Sequence, residues 1–461
     1  MPKHLLIKNI QLLATPLPEG GWLELSGAVL ATEDDQIRFV GTDAEFEIWQ
    51  TEAQLQFDKT LNAANCVVIP GLVNTHHHLY QSLTRAVGTS GGLALFDWLK
   101  RLYPIWGRLT PEAVYVSAKL ALAELVMSGC TTSSDHLYMF PNGSRLDDEI
   151  AAAREVGIRF QPTRGSMSLG ESRGGLPPDD LVENEADILK DCVRVIETFH
   201  DSQPRAMLRV GLAPCSPFSV SAELMRESAE LARCYQEVRL HTHLAETKDE
   251  INFCLERFGK RPVAYAESLG WTGPDVWFAH VVHADNAEVR RLAETCSGVC
   301  HCPSSNMILA SGIAPVRNML DKRVRVGLGV DGSASSDAGH LLAEARQAML
   351  LQRVQARADA LSAREALQLA TLGGAAVLGR DDIGSLVVGR AADVVAYRLD
   401  DLAHAGALSA PLGALLTCQP QNVKHSVING EVVVEDGAFL PFELGPLIEI
   451  HNRLSRAIIE S

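Results

Sequence analysis

The chain has no apolar stretch long enough to span a bilayer, no long basic run, no short internal repeat and no low-complexity tract. The first absence argues against a membrane-spanning helix. The second, with a net charge of -16, argues against nucleic acid or an anionic membrane as the main partner. The opening residues, Met1 to Ile7, lack the long apolar core and small-residue cleavage site of a secretory signal, and a cytoplasmic location is expected. The ten cysteines are scattered, several within apolar runs (Cys66, Cys300, Cys302). Reduced, buried thiols are therefore expected rather than disulfides. Cys300-His301-Cys302 could present two thiolates to a metal by alternation. No second Cys/His pair has matching spacing, so a buried strand is the preferred reading. The His-x-Glu…Pro-Cys-x-x-Cys signature of deaminases that act on a flipped base is missing too.

What is present is 461 residues, 46% hydrophobic and 21% charged. That is ordinary soluble composition in a chain too long for one small domain. Short strand-like runs with Pro and Gly punctuation fill residues 1–68, and similar runs with glycine or Asn-Gly turns fill 379–461. The two ends are expected to build one small β-sandwich domain, with a helix at the C-terminus. Between them, residues 69–378 alternate apolar strands with helical patterns. Strands are expected at 67–74, 131–134, 159–163, 208–213, 238–244, 276–282, 298–302 and 325–330. Eight strands alternating with helices specify an α/β fold of the (β/α)8 TIM-barrel type. The glycine-rich segment 165–178 follows the third strand and is expected to act as a lid.

One stretch organises the middle: Pro70-Gly-Leu-Val-Asn-Thr-His-His-His-Leu-Tyr-Gln81. Alternation along a strand puts His76 and His78 on one side and His77 on the other. Two imidazoles at a strand end form half of a metal site. In a barrel, chemistry gathers at the strands' C-terminal ends. There the fifth strand offers His243 and then Glu246, the sixth His280 and the eighth Asp331. Three or four nitrogen and oxygen donors suit zinc, with iron the alternative.

The phrases Pro-Gly-Leu-Val-Asn-Thr-His-x-His, His-Leu-Ala-Glu-Thr, Ala-His, Cys-Pro-x-Ser-Asn and Gly-Val-Asp, in this order, resemble the amidohydrolase superfamily. The branch they most resemble is that of the cytosine, guanine and triazine deaminases and hydrolases. The resemblance covers nearly the whole chain, including the split β domain. It implies His76, His78, His243 and Asp331 as ligands of one divalent metal, since no lysine stands after the fourth strand (Leu212-Ala-Pro-Cys215-Ser216) to bridge a second ion. It implies Glu246 as the proton shuttle, His280 against the attacking hydroxide or substrate, and Asp331 as acceptor of the water's proton. A divalent ion makes hydroxide available near neutral pH, and Glu246 then protonates the ring nitrogen and the departing ammonia. A homo-oligomer is expected by the same resemblance. His77, His136, His241 and His283 match nothing essential in the family and are read as structural.

For the substrate, Gln81 follows His78 by three, and a carboxamide suits an amide-like ring edge. Cys215 and Ser216 stand where guanine deaminases carry an Arg-Phe pair. Longer phrases (His76 to Arg85, Arg164 to Pro178, Gly329 to Ser336) resemble the 8-oxoguanine deaminase group. The expectation is deamination of 8-oxoguanine to urate and ammonia, with Gln81, Cys215 and His280 touching a nucleobase-like ring. Isocytosine or triazine deamination or dechlorination is the runner-up, guanine deamination a weaker one, and a non-catalytic scaffold the different class. Trp98, Tyr103 and Trp106 either line the pocket or form helix-face core.

Overall fold

The computed structural model describes residues 3–87, 92–336 and 338–460. Residues 1, 2 and 461, the outer ends of the two expected terminal segments, lie outside the described residues. Eight parallel strands form a closed barrel: Leu72–Asn74, Cys130–Leu137, Arg159–Ser166, Gly211–Pro214, Arg239–Leu244, Val276–His280, Gly298–His301 and Arg325–Leu328. Closure comes where Leu328 of the last pairs with Asn74 of the first. Nearly every residue of these strands is buried, as their continuous apolar character requires when helices cover the outside.

The helices begin and end where local chemistry dictates. Pro111–Ser128 starts at Thr110, whose hydroxyl accepts from the Ala113 N–H at 3.2 Å, with Pro111 in the first turn. It stops at Gly129, which takes a left-handed φ of 103°. A side chain there would also collide with Tyr397, whose hydroxyl donates to the Ser128 carbonyl at 2.7 Å.

Strands from both termini interleave in one nine-stranded mixed sheet, the architecture that stands where a sandwich was expected. Its order runs Ala438–Phe439, Glu431–Glu435, His425–Ile428, Val394–Arg398, Cys66–Pro70, His4–Pro16, Trp22–Glu33, Gln36–Thr42, with Lys59–Asn62 also along His4–Pro16. The Asn429-Gly430 turn has φ of 52° and 83°, the left-handed pair that a two-residue hairpin demands. The terminal helix is Leu444–Glu460.

The expected first strand, 67–74, is two strands in two sheets. Cys66–Pro70 pairs with Val394–Arg398 in the terminal sheet, whereas Leu72–Asn74 opens the barrel. The joint is Gly71, where a Cβ would fall 2.0 Å from the Thr131 hydroxyl. Cys66 and Val68 face the terminal core, while Val67 and Ile69 face the main core, so one short strand locks the two layers together. Arg159 of the third barrel strand adds a buried ion pair to Asp393 of the terminal sheet at 3.2 Å. The sixth strand ends early and the fourth starts late. The sixth stops at His280, because His280 and Val281 adopt φ of 72° and 48°. The fourth is Gly211–Pro214, with Leu208 forming only an isolated bridge to Phe160.

Candidate active site

At the C-terminal end of the barrel, the structure brings together every residue singled out for chemistry. His76, His78 and His243 offer one nitrogen each within 4.8 Å of one another, and so do His76, His280 and Asp331 with their own donor atoms. Asp331 Oδ1 lies 3.3 Å from His76 Nε2 and 3.4 Å from His78 Nε2. His78 Nε2 and His243 Nε2 are 3.1 Å apart. His76 Nε2 is buried and has no hydrogen-bond partner, a costly condition for a polar atom unless a cation satisfies it. The donor set therefore fits a divalent ion.

The hydrogen bonds behind the rings fix their tautomers. His78 Nδ1 donates to the His136 carbonyl at 2.7 Å and His243 Nδ1 to the Cys215 carbonyl at 2.8 Å. His76 reaches its acceptor through a second imidazole: His241 Nδ1 donates to the Trp277 carbonyl at 3.0 Å, and its free Nε2 accepts from His76 Nδ1 at 2.8 Å. In all three rings the Nε2 lone pair is left facing the centre, as a metal ligand requires. Burial first, and then the neighbouring His76 imidazole, push His78 down to about 3 and His243 well down, so both rings are neutral at ordinary pH. His241, read from the sequence as structural, is thus the orienter of His76. His136 donates Nε2–H to the Ala213 carbonyl at 2.9 Å and stacks on His243. His77 faces away, as alternation requires, and is buried with neither nitrogen partnered.

His280 differs from the other rings. With the Asn306 amide as oriented, its NH2 donates to His280 Nδ1 at 3.0 Å, which leaves the proton of a neutral ring on Nε2. That nitrogen lies 3.6 Å from Glu246 and 3.8 Å from Asp331, and it meets them as a donor. The Glu246 carboxyl is pushed well above the usual range by burial, and further by the charges of Asp331 and Glu250. Asp331 is held well below that range: burial alone would raise it, but the imidazoles around it, His76 first and then His280 and His78, outweigh burial. Two carboxyls driven in opposite directions in one pocket is the arrangement that lets one hold a proton while the other accepts one. Ala245, His280 and Asp331 all sit at positive φ (53°, 72° and 62°), strain of a kind that collects at functional sites.

The pocket above these groups is narrow, about 40 Å³, little more than one water's share of liquid volume. Gln81, Trp98, Tyr103, Tyr138, Cys215 and Phe218 are among its walls. Gln81 Oε1 and Trp98 Nε1 are buried without partners. Gly332 lets Gln81 approach, for a Cβ there would lie 1.9 Å from Gln81 Oε1. Cys215 keeps its proton, its thiol pushed up to about 12 by burial. Trp98 and Tyr103 line the pocket, while Trp106 is core and donates to the Thr84 hydroxyl at 3.1 Å. The segment 165–178, expected as a lid, contributes no residue to the lining among the described residues. It backs the loop that carries Phe218: Leu176 N–H donates to the Phe218 carbonyl, and Ser168 and Leu169 N–H to the Ser219 carbonyl, each at 3.0 Å. The cover comes instead from Leu95–Trp106, through Leu95, Trp98, Leu99 and Tyr103. Cys300 and Cys302 lie 3.6 Å apart in apolar core, and all ten cysteines are free.

A closed (β/α)8 barrel with histidines, a glutamate and an aspartate at these strand ends defines a hydrolase that works with a divalent metal. The chain belongs to the amidohydrolase family, whose match spans residues 67–433. Among individual proteins, it is 50% identical over 406 residues to the 8-oxoguanine deaminase of Pseudomonas aeruginosa, covering 88% of this chain and 89% of that one. It is 36% identical to the hydroxydechloroatrazine ethylaminohydrolase of Pseudomonas sp. strain ADP, over 90% of this chain and 88% of that one. The atrazine chlorohydrolase of Arthrobacter aurescens TC1, solved with zinc, superposes with a TM-score of 0.90 at 31% identity, over 98% of this chain and all of that one. The chain is accordingly a hydrolase of carbon–nitrogen bonds in small molecules. No helix among the described residues is long and apolar enough to cross a membrane.

Proposed function

We propose that the protein removes the 2-amino group of 8-oxoguanine by hydrolysis, giving urate and ammonia. The 50% identity to an 8-oxoguanine deaminase across nearly nine-tenths of both chains carries this reading. The pocket supports it with a carboxamide whose oxygen has no partner, Gln81, in the same enclosure as the proton-holding carboxyl, Glu246. A carboxamide can donate to and accept from the amide-like edge of such a ring.

His76, His78, His243 and Asp331 would hold the ion, zinc by the relative solved with it. When bound, it supplies Lewis acidity that makes a water nucleophilic near neutral pH. The depressed Asp331 carboxylate accepts the proton that this water loses. Glu246, whose buried carboxyl retains its proton, gives it to the ring nitrogen beside C2 as the water oxygen joins C2. His280 donates from Nε2 to the charge that develops there. The C2–N bond then breaks. Glu246, recharged with the proton from Asp331, delivers it to the departing amine, and the proton left on the new C2 oxygen passes to Glu246 as the carbonyl forms, so one water enters, one ammonia leaves and Glu246 is again protonated. Ten free thiols accord with a cytoplasmic enzyme.

The test is kcat/KM of the zinc-loaded protein for 8-oxoguanine, isocytosine, guanine and a hydroxylated aminotriazine. A clear preference for 8-oxoguanine is expected. The triazine is the second reading, favoured by the 36% identity to an aminotriazine hydrolase. Preference for it would retain the site and replace the substrate.

A further inference from the structure

We propose a second binding site, for a phosphate-bearing solute, at the opposite end of the barrel from the candidate active site. A groove of about 810 Å³ opens there. Five guanidiniums line it: Arg209 ahead of the fourth strand, Arg239 and Arg325 at the starts of the fifth and eighth, and Arg380 and Arg390 on the segment leading to the terminal sheet. Its lining carboxylates are two, Glu237 and Asp381. Glu237 is shared, 3.3 Å from Arg209 and 3.4 Å from Arg239. Arg380 is taken by Asp382 at 2.8 Å. Among the described residues, no carboxylate lies within ion-pair distance of Arg325 or Arg390. In a chain of net charge -16, such a local excess of cations stands out.

Backbone carbonyls use some of these donors. Arg325 donates to the Ala376 carbonyl at 3.1 Å and the Pro274 carbonyl at 2.9 Å, and Arg390 to the Ile383 carbonyl at 2.6 Å. A carbonyl carries no charge, however, and the Nε atoms of Arg209, Arg239 and Arg325 are buried with no partner at all. Burial lowers all three guanidiniums from their ordinary range; Arg380 adds to this on Arg209 and Arg239 on Arg325, while Glu237 outweighs Arg380 on Arg239, and Asp275, Asp382, Asp381 and Glu19 act from further off on Arg325, Arg209 and Arg390. A multiply charged oxyanion in the groove offsets the repulsion between guanidiniums, since guanidinium forks match phosphate geometry; the buried Nε atoms lie out of its reach. The acidic remainder of the surface disfavours an anionic membrane as the source of that phosphate, which leaves free phosphate or a phosphorylated metabolite.

Calorimetric titration of the zinc-loaded protein with inorganic phosphate and with ribose 5-phosphate, at ionic strength held constant with sodium chloride, tests this. Saturable binding is expected, about tenfold weaker or more in Arg325→Gln and in Arg390→Gln, with deaminase kcat unchanged in both. Arg390 makes a single backbone contact, so its variant reports even if Arg325→Gln folds poorly. Tighter binding of ribose 5-phosphate identifies a phosphorylated metabolite, and the reverse order identifies free phosphate. No saturable heat, or equal affinity in both variants and wild type, overturns the proposal, the latter by placing the anion elsewhere.

Discussion

Glu250 is not part of the chemistry, yet the structure ties activity to it. Its carboxyl accepts from the Ala245 N–H at 2.7 Å and from the Glu246 N–H at 2.9 Å, and so holds the strained turn that carries Glu246. Burial pushes Glu250 from its ordinary 4.5 up to about 7, against the pull of those two donors, and Glu288 adds to the rise. Between these values the folded protein retains a proton that the unfolded chain has lost, so its stability falls as pH rises through that window. A shift of this size amounts to about 3 kcal/mol, absent below the lower value and complete above the upper one. Glu250→Gln mimics the protonated form and escapes that loss. The stability of the variant minus that of wild type, from urea unfolding of the zinc-loaded proteins, is therefore expected to rise by about 3 kcal/mol between about pH 4 and about pH 8, from a starting value lowered by the lost acceptor. Activity moves the other way. One amide oxygen cannot serve two N–H groups, the turn shifts, and kcat is expected to fall about a hundredfold. A stability difference that is flat with pH would mean that Glu250 does not titrate in this window, and an unchanged kcat that it does not hold the Glu246 turn.

His241→Phe removes the acceptor that orients His76, and zinc affinity under chelator competition is expected to drop about 10- to 100-fold. Glu246→Gln removes the proton carrier but none of the converging metal donors, so kcat should fall by roughly 10²–10⁴ while zinc content by mass spectrometry stays at wild-type level. Gly332→Ala drives a methyl into Gln81, and kcat/KM for the amide-edged ring is expected to fall about tenfold or more with zinc content again as the control. Removing the metal with a chelator should abolish ammonia release and lower the thermal midpoint, and both should return on adding zinc.

Some of this site was legible in one dimension because its geometry is local. Alternation alone separates His76 and His78 from His77, and a strand end brings Glu246 near His243. The barrel itself shows in the alternation of apolar strands and helical patterns. What stayed hidden depends on distant segments meeting. His241 looked idle because its partners, His76 and Trp277, belong to other strands. Asn306 sets the His280 tautomer from a helix after the seventh strand. Trp98 and Trp106 lie two turns apart on one helix, and only the packing of Leu95–Trp106 over the barrel decides that one faces the pocket and the other the core. The apolar run 67–74 hid a change of sheet, since Gly71 is exposed as a joint only by Thr131 beside it. The glycines of 165–178 signalled an irregular loop but not its role, which is to brace the neighbouring loop rather than to cover the site.

In the proposed reaction, water from solvent replaces the 2-amino group. Incubation with 8-oxoguanine in H2(18)O, followed by mass spectrometry of the product and an ammonia assay, measures that replacement directly. Urate carrying a single heavy oxygen at C2 is expected, with one ammonia for each. Unlabelled product, or turnover without ammonia, would contradict it.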